Sequence, residues 1–211
     1  MYKQSVRYYF LLMLLPVSQA YAEVLKADNE FARVCNMFAD NVLELHQKLI
    51  DARNVKVVKS TGGYHGNPDF YAEEKYIDKK NGKVISIVTW ELENPENLHT
   101  IEVFVRDDKG RVIRDYAAAY LPTYRNAPTQ TLVSLHQYNG KLHAFRTFDA
   151  VGDRLVDRCT GTLNGKEVNL LLDEDDLIDA IHGDSRAMEA PEYKACFKGL
   201  PTQPGDYLTP Q

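Results

Sequence analysis

The sequence lacks the short motifs that mark the common classes of enzyme. It has no G-x-S-x-G serine motif, no H-E-x-x-H zinc motif, no G-x-x-x-x-G-K-[ST] phosphate loop and no G-x-G-x-x-G dinucleotide motif. It also has no C-x-x-C pair, which argues against a thioredoxin-type redox centre. These absences favour a binding protein, with an enzyme whose site is assembled from distant residues as the alternative.

Excess positive charge and long apolar runs are also missing. The chain has 25 basic and 30 acidic residues, a formal net charge of −5, which argues against a nucleic-acid partner because phosphates require clustered Lys and Arg. The longest apolar run, Tyr8 to Val17, is half the roughly 20 residues that a membrane span needs. We therefore expect no transmembrane span in the mature protein.

The start of the chain has the three zones of a cleavable signal peptide. Lys3 and Arg7 precede the apolar run, and Ala20 and Ala22 provide small side chains at the −3 and −1 positions. This pattern predicts a signal peptide over residues 1–22 and a mature single domain over residues 23–211. The mature protein is then expected to be periplasmic or secreted.

Three cysteines follow the signal peptide, and an oxidising compartment allows two of them to pair. Cys159 shares its strand phase with leucines on the expected covered face, and Cys196 lies in a segment that must fold back after the strands. We predict a Cys159–Cys196 disulfide, with Cys35 as a small buried thiol. A bridge from Cys35 to either of the others is the alternative.

Residues 29–53 are predicted to form one long amphipathic helix. Apolar residues recur there at three- and four-residue steps, with Asp28 as the expected N-cap. The stripe that we expect to be buried consists of Phe31, Val34, Cys35, Phe38, Val42, Leu45 and Leu49.

Residues 55–172 are predicted to form an antiparallel meander of about seven to nine strands. Asn81-Gly82, Asn139-Gly140 and Asn164-Gly165 are hairpin dipeptides, and short links between strands exclude parallel crossovers. The strand-like runs are 55–59, 70–78, 83–93, 98–106, 111–120, 131–138, 141–149, 153–163 and 166–172. A sheet this wide is expected to curve into a half-barrel or barrel.

The last part, residues 173–211, is predicted to be a short helical segment with a tail. Asp173 is expected to cap a helix containing Leu177, Ile178 and Ile181 that stops before Gly183. The carboxylates of residues 173–176 either complement the helix dipole or attract calcium, and the dipole explanation is preferred because the spacing is not that of an EF-hand. The fold class is therefore α+β.

A helix followed by a long meander resembles the architecture of periplasmic lipid or lipoprotein carriers, whose half-barrels hold acyl chains. We therefore expect an exported, non-catalytic binding or accessory protein of the cell envelope. Its partner would be another envelope protein or an apolar ligand in the concavity of the sheet. The alternatives are an envelope hydrolase and a metal-handling protein.

Two links between strands are candidates for a contact surface. The link over residues 121–130 is unusually long and carries Tyr124 and Arg125 beside Tyr120, and Tyr and Arg are enriched at binding hot spots. The glycine-rich link over residues 61–68 carries Tyr64 and His65 and has the composition of a mobile lid. Tyr116, Tyr120, Tyr124 and Tyr138 are expected to cluster at one end of the sheet. Sheet packing is the preferred explanation, since Tyr is a favoured strand residue, and an aromatic rim for a sugar or lipid is the alternative.

A pair of histidines is the sharpest prediction of a site. If Asn139-Gly140 form a two-residue turn, His136 faces His143 on the same side of the hairpin. Such a pair could share zinc or copper, with His99, His65 or a carboxylate as a third ligand, or act as a pH-sensitive latch. A pair that contributes only cross-strand packing is the alternative, and no other cofactor is predicted.

Overall fold

The computed structural model describes residues 29–64, 66–121 and 127–210. The predicted signal peptide lies outside these residues. The helices are α1 (Glu30–Asp51), α2 (Glu174–Ile181), α3 (Arg186–Glu189) and α4 (Pro191–Cys196), followed by a 3₁₀ turn over Gly205–Leu208. The strands are β1 (Val55–Tyr64), β2 (Asn67–Asp78), β3 (Val84–Glu91), β4 (Leu98–Arg106), β5 (Val112–Ala119), β6 (Gln130–Asn139), β7 (Leu142–Asp149), β8 (Arg154–Leu163) and β9 (Lys166–Leu172).

All nine strands form one antiparallel sheet in the order of the chain. The β8–β9 hairpin shows how the sequence produces this meander: Leu163 pairs with Lys166, and Asn164 and Gly165 between them have φ of 52° and 80°. Both values lie where Asn and Gly are tolerated, as the dipeptide predicts. In the part of the chain that the structure describes, β1 and β9 pair on one side only, so the sheet is open. The α+β class and the antiparallel sheet are confirmed.

Helix α1 packs on strands β3 to β6 through a face that is slightly rotated from the predicted one. Phe38, Val42 and Leu45 are buried as predicted, but Phe31 is 57% exposed. The buried face also includes Ala32, Ala39 and His46. With Ala32 and Ala39 on the buried face, Phe31 lies on the exposed side of the helix. The N-cap is Asn29, whose side chain accepts a hydrogen bond from the Ala32 amide at 2.7 Å, and the prediction of Asp28 was wrong.

The alternation of side chains gives the sheet two different faces. The side that carries α1, here called the helix face, is apolar in its centre, where Val103, Tyr116, Val133 and Phe148 lie on neighbouring strands and are buried. The opposite side, here called the far face, carries polar side chains in the neighbouring row, including Asp115, Ser134 and Thr147. The far face is the side where the predicted histidines lie.

The C-terminal segment folds back onto the sheet, where two sets of contacts hold it. Cys159 and Cys196 form the predicted disulfide with their Cα atoms 6.0 Å apart, and Cys35 is a free buried thiol, as predicted. Asn139 donates hydrogen bonds from its amide to the carbonyls of Ala195, Cys196 and Lys198 at 3.1–3.2 Å. The disulfide therefore joins α4 to β8, and the Asn139 hydrogen bonds join the end of α4 to the hairpin tip of β6 and β7.

Helix α2 begins with a capping box that the sequence predicts in part. The Asp173 side chain accepts from the Asp176 amide at 3.2 Å, and the Asp176 side chain accepts from the Asp173 amide. Leu177 is buried and Ile178 is 43% exposed, so only part of the expected apolar edge packs. These carboxylates therefore belong to the start of helix α2. This placement agrees with the preferred explanation, that they complement the helix dipole.

Candidate functional site

The two histidines of the predicted site are neighbours, but the predicted register was wrong. Asn139 pairs with Leu142, so the turn is Gly140-Lys141 and His143 lies opposite Tyr138. His136 lies opposite Phe145, which makes the two histidines diagonal neighbours on the far face. The hydrophobic pattern cannot separate the two registers because each puts the same side chains on the same faces. The structure selects the register in which Asn139 also binds the C-terminal segment.

The diagonal placement joins both imidazoles and a carboxylate in one chain of hydrogen bonds. His136 Nε2 donates to Asp115 Oδ2 at 2.5 Å, and His136 Nδ1 lies 2.9 Å from His143 Nε2. With His136 neutral, its Nε2 carries the proton and its Nδ1 accepts from His143 Nε2. Asp115 was not predicted; its strand parity puts it on the far face, but only the pairing of β5 with β6 brings it to His136.

The aromatic side chains around His143 hold it in place. The Tyr138 ring stacks on the imidazole at 4.5 Å with an interplanar angle of 6°, and Arg111 lies 4.6 Å above the Tyr138 ring. Burial, followed by electrostatic repulsion from the neighbouring His136, lowers the pKa of His143, while Asp115 opposes the shift. A neutral His143 with its Nε2 proton directed to His136 carries a lone pair on Nδ1, and its lowered pKa keeps the imidazole neutral over a wider pH range.

The same arrangement would offer a metal ion two imidazole nitrogens, which is fewer ligands than a closed metal site has. In the described residues, no group of three or more His, Cys, Asp or Glu side chains is placed to hold a metal ion. Asp115 contacts the nitrogen of His136 that points away from His143. Of the proposed third ligands, His99 is hydrogen-bonded to Tyr64, and His65 lies outside the described residues. A proton relay therefore describes the geometry better than a metal centre.

The predicted lid over residues 61–68 is a hairpin of the sheet. Thr61 pairs with Ala72 and Tyr64 with Asn67, so β1 and β2 extend through most of the glycine-rich segment. Tyr64 is 54% exposed and its hydroxyl is hydrogen-bonded to His99 Nε2. Its ring lies 5.7 Å from Phe70, and burial, followed by Tyr71, raises its pKa. This end of the sheet therefore carries an aromatic cluster in place of a lid.

The three described members of the predicted tyrosine cluster do not come together. Tyr116 is a core residue of the helix face, whereas Tyr138 is on the far face and donates to the Val112 carbonyl at 3.0 Å. Tyr120 lies at the opposite end of β5 from Val112 and packs against the core. Tyr124 and Arg125 lie outside the described residues. The spacing of the tyrosines along the chain did not show which end of each strand they would occupy.

A large cavity within the described residues was not predicted from the sequence. It has a volume of about 820 Å³ and lies between the C-terminal end of α1 and the β2–β3 and β4–β5 turns. Its apolar wall consists of Leu49, Ala52, Val84, Ile85, Phe104 and Val105. We call this cavity the turn cleft.

Cationic side chains outnumber carboxylates around the turn cleft. The cationic residues are Arg53, Lys80, Lys83, Arg106 and Lys109, and the carboxylates are Asp78, Asp107 and Asp108. Asp107 is already engaged, since Arg111 Nε donates to it at 2.8 Å and lowers its pKa together with the backbone amide. The remaining charge of the side chains around the turn cleft is therefore positive, whereas the protein as a whole has a net negative charge. The basic residues of the two turns are visible in the sequence, but their convergence is a tertiary feature.

Comparisons with protein-family models, curated proteins and solved structures found no match. In the described part of the chain, no helix combines the length and apolar character needed to cross a membrane. The functional argument therefore depends on the geometry of this chain itself.

Proposed function

We propose that this protein is an exported, non-catalytic binding or accessory protein of the cell envelope. The observation that carries the proposal is the turn cleft, whose volume of about 820 Å³ is within the usual range for ligand sites. The disulfide, which is typical of oxidising compartments, also supports export. The predicted half-barrel shape of the sheet is part of this proposal.

The composition of the turn cleft suggests which part of a partner it receives. Phe104 and the neighbouring aliphatic side chains offer an apolar wall, and Lys83 and Lys109 stand exposed beside it. An apolar group attached to a negatively charged group matches both features. An envelope-protein segment and an anionic amphiphile each carry this combination, and both fit better than a wholly apolar ligand.

The experiment is native purification from the envelope followed by mass spectrometry of what copurifies. The double variant Lys83→Glu/Lys109→Glu should lose the bound species because it reverses charge at the cleft. Lys166→Glu is the matched control, since Lys166 is an exposed lysine of the β8–β9 hairpin. Equal recovery from the double variant and the control would contradict a role for the cleft.

Export has its own test in the N-terminus of the mature protein. Cleavage after Ala22 predicts that the protein recovered from the periplasm or the medium begins at Glu23. Recovery of a mature chain that still carries residues 8–17 would contradict the proposal of a cleaved, exported protein.

A hydrolase is the second candidate, and the Asp115–His136–His143 chain is the observation that favours it. A carboxylate that orients an imidazole is a recurrent device for accepting a proton. A panel of ester, amide and glycoside substrates tests this candidate. Turnover by the wild type that is lost in His143→Gln and kept in His182→Gln would favour the hydrolase over the binding protein.

A further inference from the structure

A second cavity lies on the helix face beneath the C-terminal tail. It has a volume of about 440 Å³ and shares none of the turn cleft's lining residues. Two strand residues, Arg114 and Tyr116, form one side of it. The tail forms the other side with Gln203, Pro204, Gly205, Asp206, Tyr207 and Thr209.

Two residues that line this cavity each carry a buried hydrogen-bond donor without a partner of normal geometry. Arg114 Nε and the Tyr116 hydroxyl make no hydrogen bond of normal geometry, and Tyr116 is only 1% exposed. Burial raises the pKa of Tyr116, and the Arg114 guanidinium, which lies beside the hydroxyl, opposes that rise. A buried polar group without a partner is destabilising, and more than nine in ten such groups are satisfied in folded proteins. Two of them on one cavity indicate that a ligand atom completes the site.

Both residues are held in position by their other contacts. The Tyr116 ring packs against Phe38 of α1 with ring centroids 6.2 Å apart, and Arg114 lies 4.6 Å above the Tyr207 ring. The tail therefore fixes the guanidinium from one side and α1 fixes the phenol from the other. The donors are pre-organised, which reduces the entropy cost of binding.

We infer that this cavity binds the carboxylate of a small organic acid, with Arg114 Nε and the Tyr116 hydroxyl as the two donors. One positive charge and two donors match the single charge and two oxygens of a carboxylate. A phosphate dianion carries more charge and more acceptors than these groups satisfy, and the nearby Asp206 disfavours a dianion further. Pro204 and the Tyr207 ring form an apolar wall for the organic part of the acid.

The test titrates sodium acetate, sodium benzoate and sodium phosphate into the purified protein at constant ionic strength. Calorimetry, the melting temperature and the NMR signal of the Arg114 Nε–H group are followed. Benzoate or acetate should raise the melting temperature and shift the Arg114 signal, and phosphate should do neither. Tyr116→Phe and Arg114→Gln should each weaken binding about tenfold or more, as expected for a lost bond to a charged group.

The controls remove the same chemical groups elsewhere. Arg158→Gln and Tyr138→Phe alter residues of the far face and should bind the acids as the wild type does. Without ligand, Tyr116→Phe should melt at the same or a higher temperature than the wild type, because the lost hydroxyl has no partner.

Three binding results would each overturn the inference. They are no binding of either acid by the wild type, equal binding by Tyr116→Phe, Arg114→Gln and the controls, and binding of phosphate as tight as that of the acids. A lower melting temperature of ligand-free Tyr116→Phe would also overturn it, since it would mean that the hydroxyl is satisfied without ligand. None of these results affects the turn cleft, because the two cavities share no lining residue.

Discussion

At the scale of single residues, His143 shows how a strand neighbour becomes part of a functional group. Its position on the far face follows from strand alternation alone, but its hydrogen bond to His136 depends on the diagonal register of β6 and β7. The bond from His136 to Asp115 then depends on a third strand. Each added strand brings one more member into the relay.

The lowered pKa of His143 predicts how stability depends on pH. Because the folded pKa lies below the unfolded value of about 6.5, the unfolded chain binds the proton more readily. The contribution of His143 to stability is therefore complete above about pH 6.5 and is lost as the pH falls toward the folded pKa. Chemical denaturation at a series of pH values should show this loss.

The variant His143→Gln should weaken that pH dependence without abolishing it. His46 retains its own contribution, since burial also lowers its pKa. His182→Gln changes an exposed residue at the end of α2 and should leave the profile of the wild type unchanged. An identical profile for His143→Gln and the wild type would contradict the assignment.

Asp157 is a buried charged residue whose loss should strongly reduce stability. It is fully buried and accepts hydrogen bonds from Arg146, Arg154 and the Tyr193 hydroxyl. Asp157→Asn would leave the charge of Arg146 buried without its carboxylate, at a cost of about 3–5 kcal/mol in the free energy of unfolding. Urea denaturation measures this cost. The control Asp184→Asn removes one partner of an exposed ion pair and should change little.

At the scale of elements, α1 demonstrates the difference between periodicity and phase. The three- and four-residue repeat predicted a helix correctly, but the repeat alone did not show that Ala32, Ala39 and His46 belong to the buried face. The close approach of the helix to the sheet decides that phase. His46 is accommodated there by a hydrogen bond between its Nδ1 and the Ser86 hydroxyl at 2.8 Å.

Two phenylalanines of α1 test the observed phase directly. Phe38→Ala should lower the free energy of unfolding by about 3–5 kcal/mol because it leaves a cavity in the core. Phe31→Ala removes the same side chain from a position that is 57% exposed and should have little effect. Urea denaturation of both variants measures the difference. Equal losses would mean that the stripe faces the sheet as the sequence alone predicts.

At the scale of the whole molecule, the C-terminal segment is held to the sheet by covalent and polar contacts together. The disulfide joins β8 to α4, and Arg146 donates to the carbonyls of Leu200 and Pro201 at 2.6 and 3.0 Å. The cavity beneath the tail depends on this attachment because the tail supplies one of its walls.

Removal of the disulfide tests this attachment. The bridge closes a loop with a sequence separation of 37, for which the loop-closure model gives about 4 kcal/mol. The variant Cys159→Ser/Cys196→Ser should lose stability of that order and should expose amides of α4 to hydrogen exchange. Cys35→Ser is the control, and it should leave the exchange of α4 unchanged because Cys35 is a free thiol.

The sequence by itself determined the features that depend on local pattern. The turn dipeptides and apolar alternation predicted the antiparallel sheet, the repeat over residues 29–53 predicted α1, and strand phase predicted the Cys159–Cys196 bridge. These predictions succeeded because backbone preferences and side-chain periodicity act over a few residues.

Only the tertiary structure decided register, helix phase and the membership of the sites. Registers that differ by two residues keep every side chain on its face, so the sequence pattern does not fix the position of His143 relative to His136. The observed register is the one in which Asn139 also binds the C-terminal segment. Asp115, Lys83 with Lys109, and Arg114 with Tyr207 are brought to their neighbours by contacts between elements far apart in the chain. Such contacts leave no local periodicity in the sequence, because they arise from the packing of whole elements.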